Sequence, residues 1–449
     1  MATTTHIQTR DARRRAAGSA LLVAALLGLI SFTVAGSRPS AGEVSATSEK
    51  EELDGRDERQ EPTNRPTVEA AFPEESYAPG NVARLVIWTS GRNVSLQLFH
   101  AGTEEARMRA RDVMLGSPVT PVRQLGNLSQ GRRIAVPLGD WPSGLYFARL
   151  IAKGGKVGYA PFVLRPHNLG EHRIAVVLST MTWQAYNFHD DDRNGTLDTW
   201  YAGQKHARLG RPYENRGVIP HYKYYDEPFL RWLLATGREV DYLADADVDR
   251  RSTSGRLLAA NYDLIVFPGH HEYVTPHEYD AITAYRNLGG NLMFLSANNF
   301  FWRTVKSGRV MTRTNKWRDL GRPESALIGV QYFGNDAGQH RGPWILRDVP
   351  AERWIFAGTG LGTGSRFANA GIEADETTSK SPRGTHVLGV IPNLFGTGHD
   401  AQMTYYETKN GAKVFAAGAF TLAGAAWWPD VTQVLENLWT RLANDRNRA

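Results

Sequence analysis

The chain has 449 residues, a formal net charge of +6 and no cysteine. This length allows about two or three domains with hydrophobic cores, and the lack of cysteine excludes disulfides, thiolate metal ligands and a cysteine nucleophile. Much of the positive charge lies near the start, at Arg10, Arg13, Arg14 and Arg15. Because no basic stripe follows, the composition argues against nucleic acid as a partner.

The N-terminal segment, residues 1–36, predicts export from the cytoplasm. The basic cluster precedes an uncharged, apolar stretch that runs from Ala16 to Gly36. Such a pattern fits either a secretory signal peptide or a single membrane anchor. Both alternatives place the remainder outside the cytoplasm, either secreted or held at the cell membrane. Residues 37–68, rich in Glu, Ser, Arg, Asp and Pro, predict a disordered linker.

Residues 69–168 predict a small immunoglobulin-like β-sandwich. Val82–Trp88 and Val94–Phe99 alternate between apolar and polar residues, and further short strands follow between turns rich in glycine and proline. This spacing is typical of sandwich domains. We expect a structural role for this domain, packing on the next one or spacing it, in preference to ligand binding.

Residues 169–446 change to alternating strands and helices, and the clearest unit runs from Tyr262 to Asn298. There Leu264–Phe267 is a short apolar run, Thr275 is a good helix N-cap, and a second apolar run follows two glycines. A strand–helix–strand order of this kind predicts an α/β fold, here a three-layer domain with a parallel sheet. Residues 310–400 show few clear periods, and we expect long loops over the strand ends there.

Polar side chains follow the strands of this unit. His270, His271 and Glu272 come directly after one strand, and Asn298 follows the next. Ligands of parallel sheets bind beyond the carboxyl ends of the strands, so these four are candidate catalytic residues. Neighbours on an extended chain point to opposite sides, so at most two of the triplet share a pocket unless the turn is tight. The competing interpretation is a solvated loop, or imidazoles bonded to backbone carbonyls.

Two further clusters precede this unit. Tyr186 follows the first strand of the domain, and as a phenolate it suits a hard cation such as ferric iron, although it also fits an aromatic lid. An acidic loop after it partly matches a calcium loop, with Gly195 at its sharp turn. Tyr201 stands where such loops carry an acidic ligand, so an acidic surface turn is the alternative. The candidate calcium ligands are Asp190, Asp192, Asn194, Thr196 through its carbonyl, and Asp198.

Several short motifs together resemble a known family. Trp183–Asn187, Arg211–Tyr213, Gly269–Tyr273 and Ala297–Asn298 are similar to the C-terminal domain of the N,N-dimethylformamidase large (beta) subunit, and the likeness covers residues 172–445. The resemblance implies a fold like that of class I glutamine amidotransferases. The cysteine nucleophile of that fold is missing here, as it is in the formamidase.

The resemblance also implies a mononuclear iron, held by two tyrosines and one glutamate, in an enzyme that hydrolyses a small amide. Tyr186 would be the first tyrosine and Glu272 the carboxylate. For the second tyrosine the Arg-Pro-Tyr motif favours Tyr213, and Tyr242 is the second choice. The histidine pair would orient water or carry a proton.

These observations lead to two alternative functions. The first is an exported, iron-dependent amidase acting on a small-molecule amide. The second is a non-catalytic secreted or surface protein that binds a glycan, with a degenerate amidotransferase-like domain and a calcium-stabilised loop. A homo-oligomer is compatible with either function.

Overall fold

The computed structural model of the protein describes residues 62–104, 106–335 and 340–444. The predicted export segment and most of the predicted linker lie outside these ranges. The last linker residues pack onto the folded body, where Val68 is fully buried and the Thr63 amide donates to Asn215 Oδ1 at 2.9 Å. Within the described ranges, we find no helix that combines the length and apolar character needed to cross a membrane.

The N-terminal part is built from two sheets around one apolar core. Its strands are β1 (Ala70–Ala71), β2 (Ser76–Tyr77), β3 (Val82–Ile87), β4 (Gly91–Ala101), β5 (Gly116–Pro118), β6 (Arg123–Leu128), β7 (Arg133–Pro137), β8 (Gly144–Ala152) and β9 (Lys156–Leu164). One sheet has the order β1-β3-β7. The other has the order β2-β9-β8-β4-β5, with β6 paired to β4.

The rest of the chain is organised around a large sheet. Its strands are β10 (Ile174–Leu178), β12 (Asp241–Ala244), β13 (Leu264–Phe267), β15 (Asn291–Phe294), β18 (Gln331–Asn335), β19 (Arg341–Leu346), β20 (Arg366–Glu376), β21 (His386–Ile391), β22 (Ala401–Glu407), β23 (Lys413–Ala416) and β24 (Ala419–Phe420). A smaller sheet contains β11 (Ala207–Arg208), β14 (Tyr273–Val274), β16 (Trp302–Ser307) and β17 (Val310–Lys316).

The large sheet changes character at β23. The strands β12-β10-β13-β15-β23 pair in parallel, in that order. Beyond β23 the order continues β22-β21-β19-β20-β18, and every pairing is antiparallel. The last strand, β24, adds to β20, also antiparallel. The sheet is therefore mixed.

Short helices connect these strands. They are α1 (Thr180–Ala185), α2 (Tyr222–Tyr225), α3 (Glu227–Ala235), α4 (Asp245–Val248), α5 (Gly255–Asn261), α6 (Pro276–Asn287), α7 (Ser325–Ile328) and α8 (Pro429–Asn444). The parallel strands are buried on both faces. In β10, Val176 and Leu178 enter one core while Ala175 and Val177 enter the other, which includes the apolar side of α6. This two-sided burial explains their continuous apolar sequence.

The predicted α/β fold, a three-layer domain with a parallel sheet, is wrong. The protein is mostly β, with large mixed and antiparallel sheets. The error comes from residues 310–400, where we expected loops and the structure has strands. Register irregularities interrupt these strands, for example between Gly342 and Trp344 and between Val387 and Gly389. Such irregularities break the regular alternation that makes a strand visible in a sequence.

The unit from Tyr262 to Asn298 is as the sequence predicted. β13 and β15 pair in parallel, with Leu264 opposite Asn291, and α6 connects them. The Thr275 hydroxyl accepts from the Glu278 amide at 3.2 Å, as an N-cap does. Because β10, β13 and β15 are parallel neighbours, the segments after their carboxyl ends meet at one edge of the sheet.

Candidate active site

The segment after β13 divides its three polar residues between two environments. His270 and Glu272 face one side, and His271 faces the other, where it contacts Asp245 and Glu278. Hydrogen bonds from the backbone of Phe300 and Phe301 hold the backbone of this segment in place. The Phe300 amide donates to the His271 carbonyl at 2.8 Å, and the Phe301 amide donates to the Glu272 carbonyl at 3.0 Å.

Glu272 is the centre of a buried cluster. The Tyr186 hydroxyl donates to Glu272 Oε2 at 2.8 Å. His270 Nε2 lies 3.4 Å from the same oxygen and 3.3 Å from Glu373 Oε2. All four residues are at most 8% exposed. Two carboxylates, a phenol and an imidazole therefore share one desolvated site.

Two more phenols stand behind Tyr186. Its ring lies 4.9 Å from that of Tyr201 and 6.3 Å from that of Tyr273. The hydroxyls of Tyr201 and Tyr273 are 2.5 Å apart. These contacts fix the position of the Tyr186 ring, so its hydroxyl is held against Glu272.

A small cavity opens beside the cluster, with a volume of ≈ 30 Å³. Tyr186, His270, Glu373 and Tyr225 contribute polar side chains to its wall. The remaining wall includes the apolar side chains of Trp183, Pro220, Ile372 and Phe420. The Phe420 ring packs against two of these polar residues: its centroid is 4.6 Å from that of the His270 ring and 5.2 Å from that of the Tyr225 ring.

Comparison with known proteins identifies the family. The model of the family described as N,N-dimethylformamidase beta subunit-like, C-terminal, matches residues 129–427. The chain belongs to this family. This confirms the resemblance noted in the sequence, and it extends the match upstream into the N-terminal sheets.

Two curated relatives carry the name N,N-dimethylformamidase beta subunit. The one from Alcaligenes sp is 22% identical over 64% of this chain and 45% of its own length. The one from Paracoccus aminophilus is 21% identical over 68% of this chain and 53% of its own length. The chain thus spans about half the length of the curated relatives it matches.

Solved structures give weaker likenesses. A sporulation control protein from Bacillus subtilis is 12% identical, with a TM-score of 0.17, over 24% of this chain and 51% of its own. A superoxide reductase (neelaredoxin) from Ignicoccus hospitalis is 13% identical, with a TM-score of 0.14, over 23% of this chain and 82% of its own. At these scores neither informs the fold or the function.

Burial shifts the pKa values of the titratable residues at this site. Burial, together with the negative charge of Glu272, raises the pKa of Tyr186 well above its usual value. Burial, with smaller contributions from His221 and His271, lowers the pKa of His270 well below its usual value. Without a cation, the phenol is therefore protonated and the imidazole neutral. Burial also raises the pKa of Asp226, at the cavity wall, to about 7.

The other candidate residues lie elsewhere. Tyr213 lines a second cavity, with Gln184 and Arg211, and Tyr242 lies in the core strand β12. His271 and Asn298 are both buried but are absent from the wall of the cavity beside Glu272. Asn298 has a left-handed backbone, with φ 54°, and its amide donates to Asp375 Oδ1 at 2.9 Å.

The structure adds residues that sequence reasoning missed. Tyr225 ends the short helix α2, and Glu373 belongs to β20, in the region we expected to be loops. The Tyr-Lys-Tyr-Tyr-Asp run before α3 was a detectable signal for Tyr225, since it concentrates phenols next to an acid. Glu373 stands in the acidic run Glu373-Ala-Asp-Glu, which is typical of an exposed segment and gave no sign of a buried cavity.

The acidic loop folds as a tight turn. One carboxylate oxygen from each of Asp190, Asp192 and Asp198 lies within 4.8 Å of the others. The Gly195 backbone is left-handed, with φ 84°, and its amide donates to Asp190 Oδ2 at 2.8 Å. The calcium site stays a prediction from the sequence.

Proposed function

We propose that the protein is an amidase that hydrolyses the C–N bond of a small, uncharged amide, with an iron ion bound beside Glu272. The observation that carries the proposal is the contact of buried Glu272 with Tyr186 and His270, two residues that line the cavity. The name of the curated relatives supports an amidohydrolase-like activity.

The side chains present fit iron. Phenolate and carboxylate oxygens are hard donors, which suit ferric iron. Burial and the negative charge of Glu272 raise the pKa of Tyr186, and a cation beside Glu272 would oppose that rise by favouring the phenolate. Tyr186 and Glu272 would be ligands. The second phenol of our proposal is Tyr225 in place of Tyr213, because Tyr225 lines the same cavity as Tyr186 and Tyr213 lines another.

When bound there, iron supplies the Lewis acidity that polarises an amide carbonyl. Hydrolysis adds water across the C–N bond, so the hydroxyl ends on the carbonyl carbon and a proton ends on the departing nitrogen. The neutral His270 is placed to take the proton from water. Its Nε2 lies 3.3 Å from Glu373 Oε2, so this carboxylate would stabilise the imidazolium that forms.

The cavity restricts the substrate. A volume of ≈ 30 Å³ corresponds to about two water molecules, so only a small substrate suits this cavity. Trp183, Pro220, Ile372 and Phe420 form an apolar wall that suits methyl-sized substituents and disfavours charge. The curated relatives are called N,N-dimethylformamidase beta subunit, so N,N-dimethylformamide is the first substrate to test.

The export segment, if it acts as the sequence predicts, would place this activity outside the cytoplasm. Fractionation of cells that express the full chain tests that location. Recovery of all the protein in the cytoplasm would reject it.

The test of the function is metal analysis together with turnover. Purified protein should contain about one iron per chain, absorb visible light as a tyrosinate complex, and hydrolyse the amide. Glu272→Ala should remove the iron and the activity together. Colourless, iron-free protein without turnover would reject the proposal and would favour the non-catalytic binding protein.

A further inference from the structure

A second cluster of possible ligands lies on the other side of the segment after β13. Asp245 begins α4, His271 follows β13, and Glu278 is in the first turn of α6. His271 Nε2 is 2.7 Å from Asp245 Oδ1 and 3.0 Å from Glu278 Oε1. One donor atom from each residue lies within 4.8 Å of the others, and all three side chains are at most 1% exposed.

The groups around this cluster carry more negative than positive charge. Glu75 and Asp249 are close by, and Lys306 Nζ lies 3.4 Å from Glu75 Oε1 and 3.3 Å from Asp249 Oδ2. Lys306 is thus engaged by two carboxylates already. Asp245 and Glu278 remain as two buried acids that face a single imidazole, and buried charge is costly unless it is paired.

The imidazole does not satisfy both acids. A single Nε2 carries at most one proton, yet it faces oxygens of Asp245 and Glu278. Its contact with Asp245 Oδ1 lacks hydrogen-bond geometry, and within the described part of the chain neither that oxygen nor Glu278 Oε2 has a hydrogen-bond partner. Both atoms belong to fully buried residues. The cluster therefore has two buried acceptor oxygens that a bound cation would satisfy.

Asp245 is also oriented as a metal ligand would be. Its other oxygen, Oδ2, accepts from the Met181 amide at 2.6 Å and from the Thr180 hydroxyl at 3.1 Å. Such outer contacts fix the direction of a ligand carboxylate. They leave Oδ1 directed at His271 and Glu278.

We propose that Asp245, His271 and Glu278 form a buried binding site for a divalent metal ion, of which Zn²⁺ is the representative. One imidazole nitrogen and two carboxylate oxygens are ligands that Zn²⁺ accepts. A tetrahedral ion with bonds of about 2.0 Å spaces its ligand atoms more widely than 2.7 and 3.0 Å, so the side chains would separate by a few tenths of an ångström.

The ion would be structural. None of its three ligands lines the cavity beside Glu272, and the rings of Phe267 and Phe300 pack against His271 at 4.8 and 5.6 Å. The ion would join the segments after β12 and β13 to α6. By holding His271, it would fix the segment that carries His270 and Glu272.

The experiment counts zinc in a Glu272→Ala background, so that the proposed iron site is already removed. Protein is equilibrated with Zn²⁺ alone, freed of unbound metal, and analysed for zinc per chain. One zinc ion should remain in the Glu272→Ala protein, and the added change Asp245→Asn or Glu278→Gln should remove it. Asp241→Asn is the matched control: it alters a buried acid of β12 outside the cluster and should keep the zinc.

Diffraction from zinc-loaded wild-type crystals at the zinc edge gives a second readout that needs no variant. An anomalous peak at bonding distance from His271 Nε2 is expected. Absence of that peak, or equal zinc in the Glu272→Ala protein with and without Glu278→Gln, would overturn the inference. If this site binds no zinc but the protein hydrolyses the amide, the zinc inference fails and the proposed function stands. If the site binds zinc but the protein does not hydrolyse the amide, the zinc inference stands and the proposed function fails.

Discussion

Replacing single tyrosines by phenylalanine separates the phenols that bind metal from those that only pack. Tyr186→Phe removes the hydroxyl that donates to Glu272 Oε2 at 2.8 Å. The ring keeps its neighbours, Tyr201 at 4.9 Å and His270 at 5.2 Å. The change therefore deletes one oxygen with little loss of packing.

The expected magnitudes follow from that contact. A buried hydrogen bond to a charged acceptor contributes about 1.5–3 kcal/mol, so the free energy of unfolding of the metal-free protein should fall by about 2 kcal/mol. As Tyr186 is a proposed iron ligand, the variant should also lose its iron, its visible absorption and at least about 100-fold in kcat/KM. Urea unfolding, metal analysis and amide turnover measure these effects.

Tyr213→Phe is the matched control, because Tyr213 is also 8% exposed but lines the other cavity. It should keep its iron and its turnover, whereas Tyr225→Phe should lose both. Full iron content in Tyr186→Phe would refute the proposed site. Loss of iron in Tyr213→Phe with retention in Tyr225→Phe would refute our choice of the second phenol.

Three further predictions concern stability and cavity shape. Burial alone would lower the pKa of His189, but the hydrogen bond to Asp191 and the nearby carboxylate of Glu69 raise it to about 9. This group's stabilisation is therefore complete below pH 6.5 and lost as the pH rises through about 9. Urea unfolding should show the wild type losing about 3 kcal/mol more than His189→Gln over that window, and parallel pH curves would contradict this. Calcium added to chelated protein should raise Tm, and Asp192→Asn should abolish that response; an equal response in the variant would place calcium elsewhere. Gly269→Ala puts a methyl group against Asp226 Oδ1 at the cavity wall, so turnover should fall with the fold retained by circular dichroism, and unchanged turnover would show that the wall can move.

Local signals made part of this structure predictable. The apolar run before His270, the Thr275 cap and the glycine pair after α6 all act within a few residues, so the strand–helix–strand unit could be predicted correctly. The alternation of an extended chain also indicated that at most two of the triplet share a pocket. The structure confirms this, with His270 and Glu272 on one side and His271 on the other.

Other features depend on contacts between distant residues. The antiparallel strands β19 to β21 contain register irregularities, and their sequences do not alternate regularly enough to be recognised. Tyr225 and Glu373 reach the cavity only because α2 and β20 pack there. Tyr213 was chosen for its neighbouring motif, and a motif gives no information on which of two cavities a side chain enters.

The change from parallel to antiparallel pairing at β23 bears on how the protein folds. Tyr186, His270 and Glu272 follow strands of the parallel half, while Glu373 and Phe420 come from β20 and β24 in the other half. Closure of the cavity must therefore wait for strands that are far apart along the chain, a slow step in folding. A nascent chain that stops before β20 would expose the phenol and imidazole without their opposite wall, so the cavity of the proposed site is completed late in synthesis.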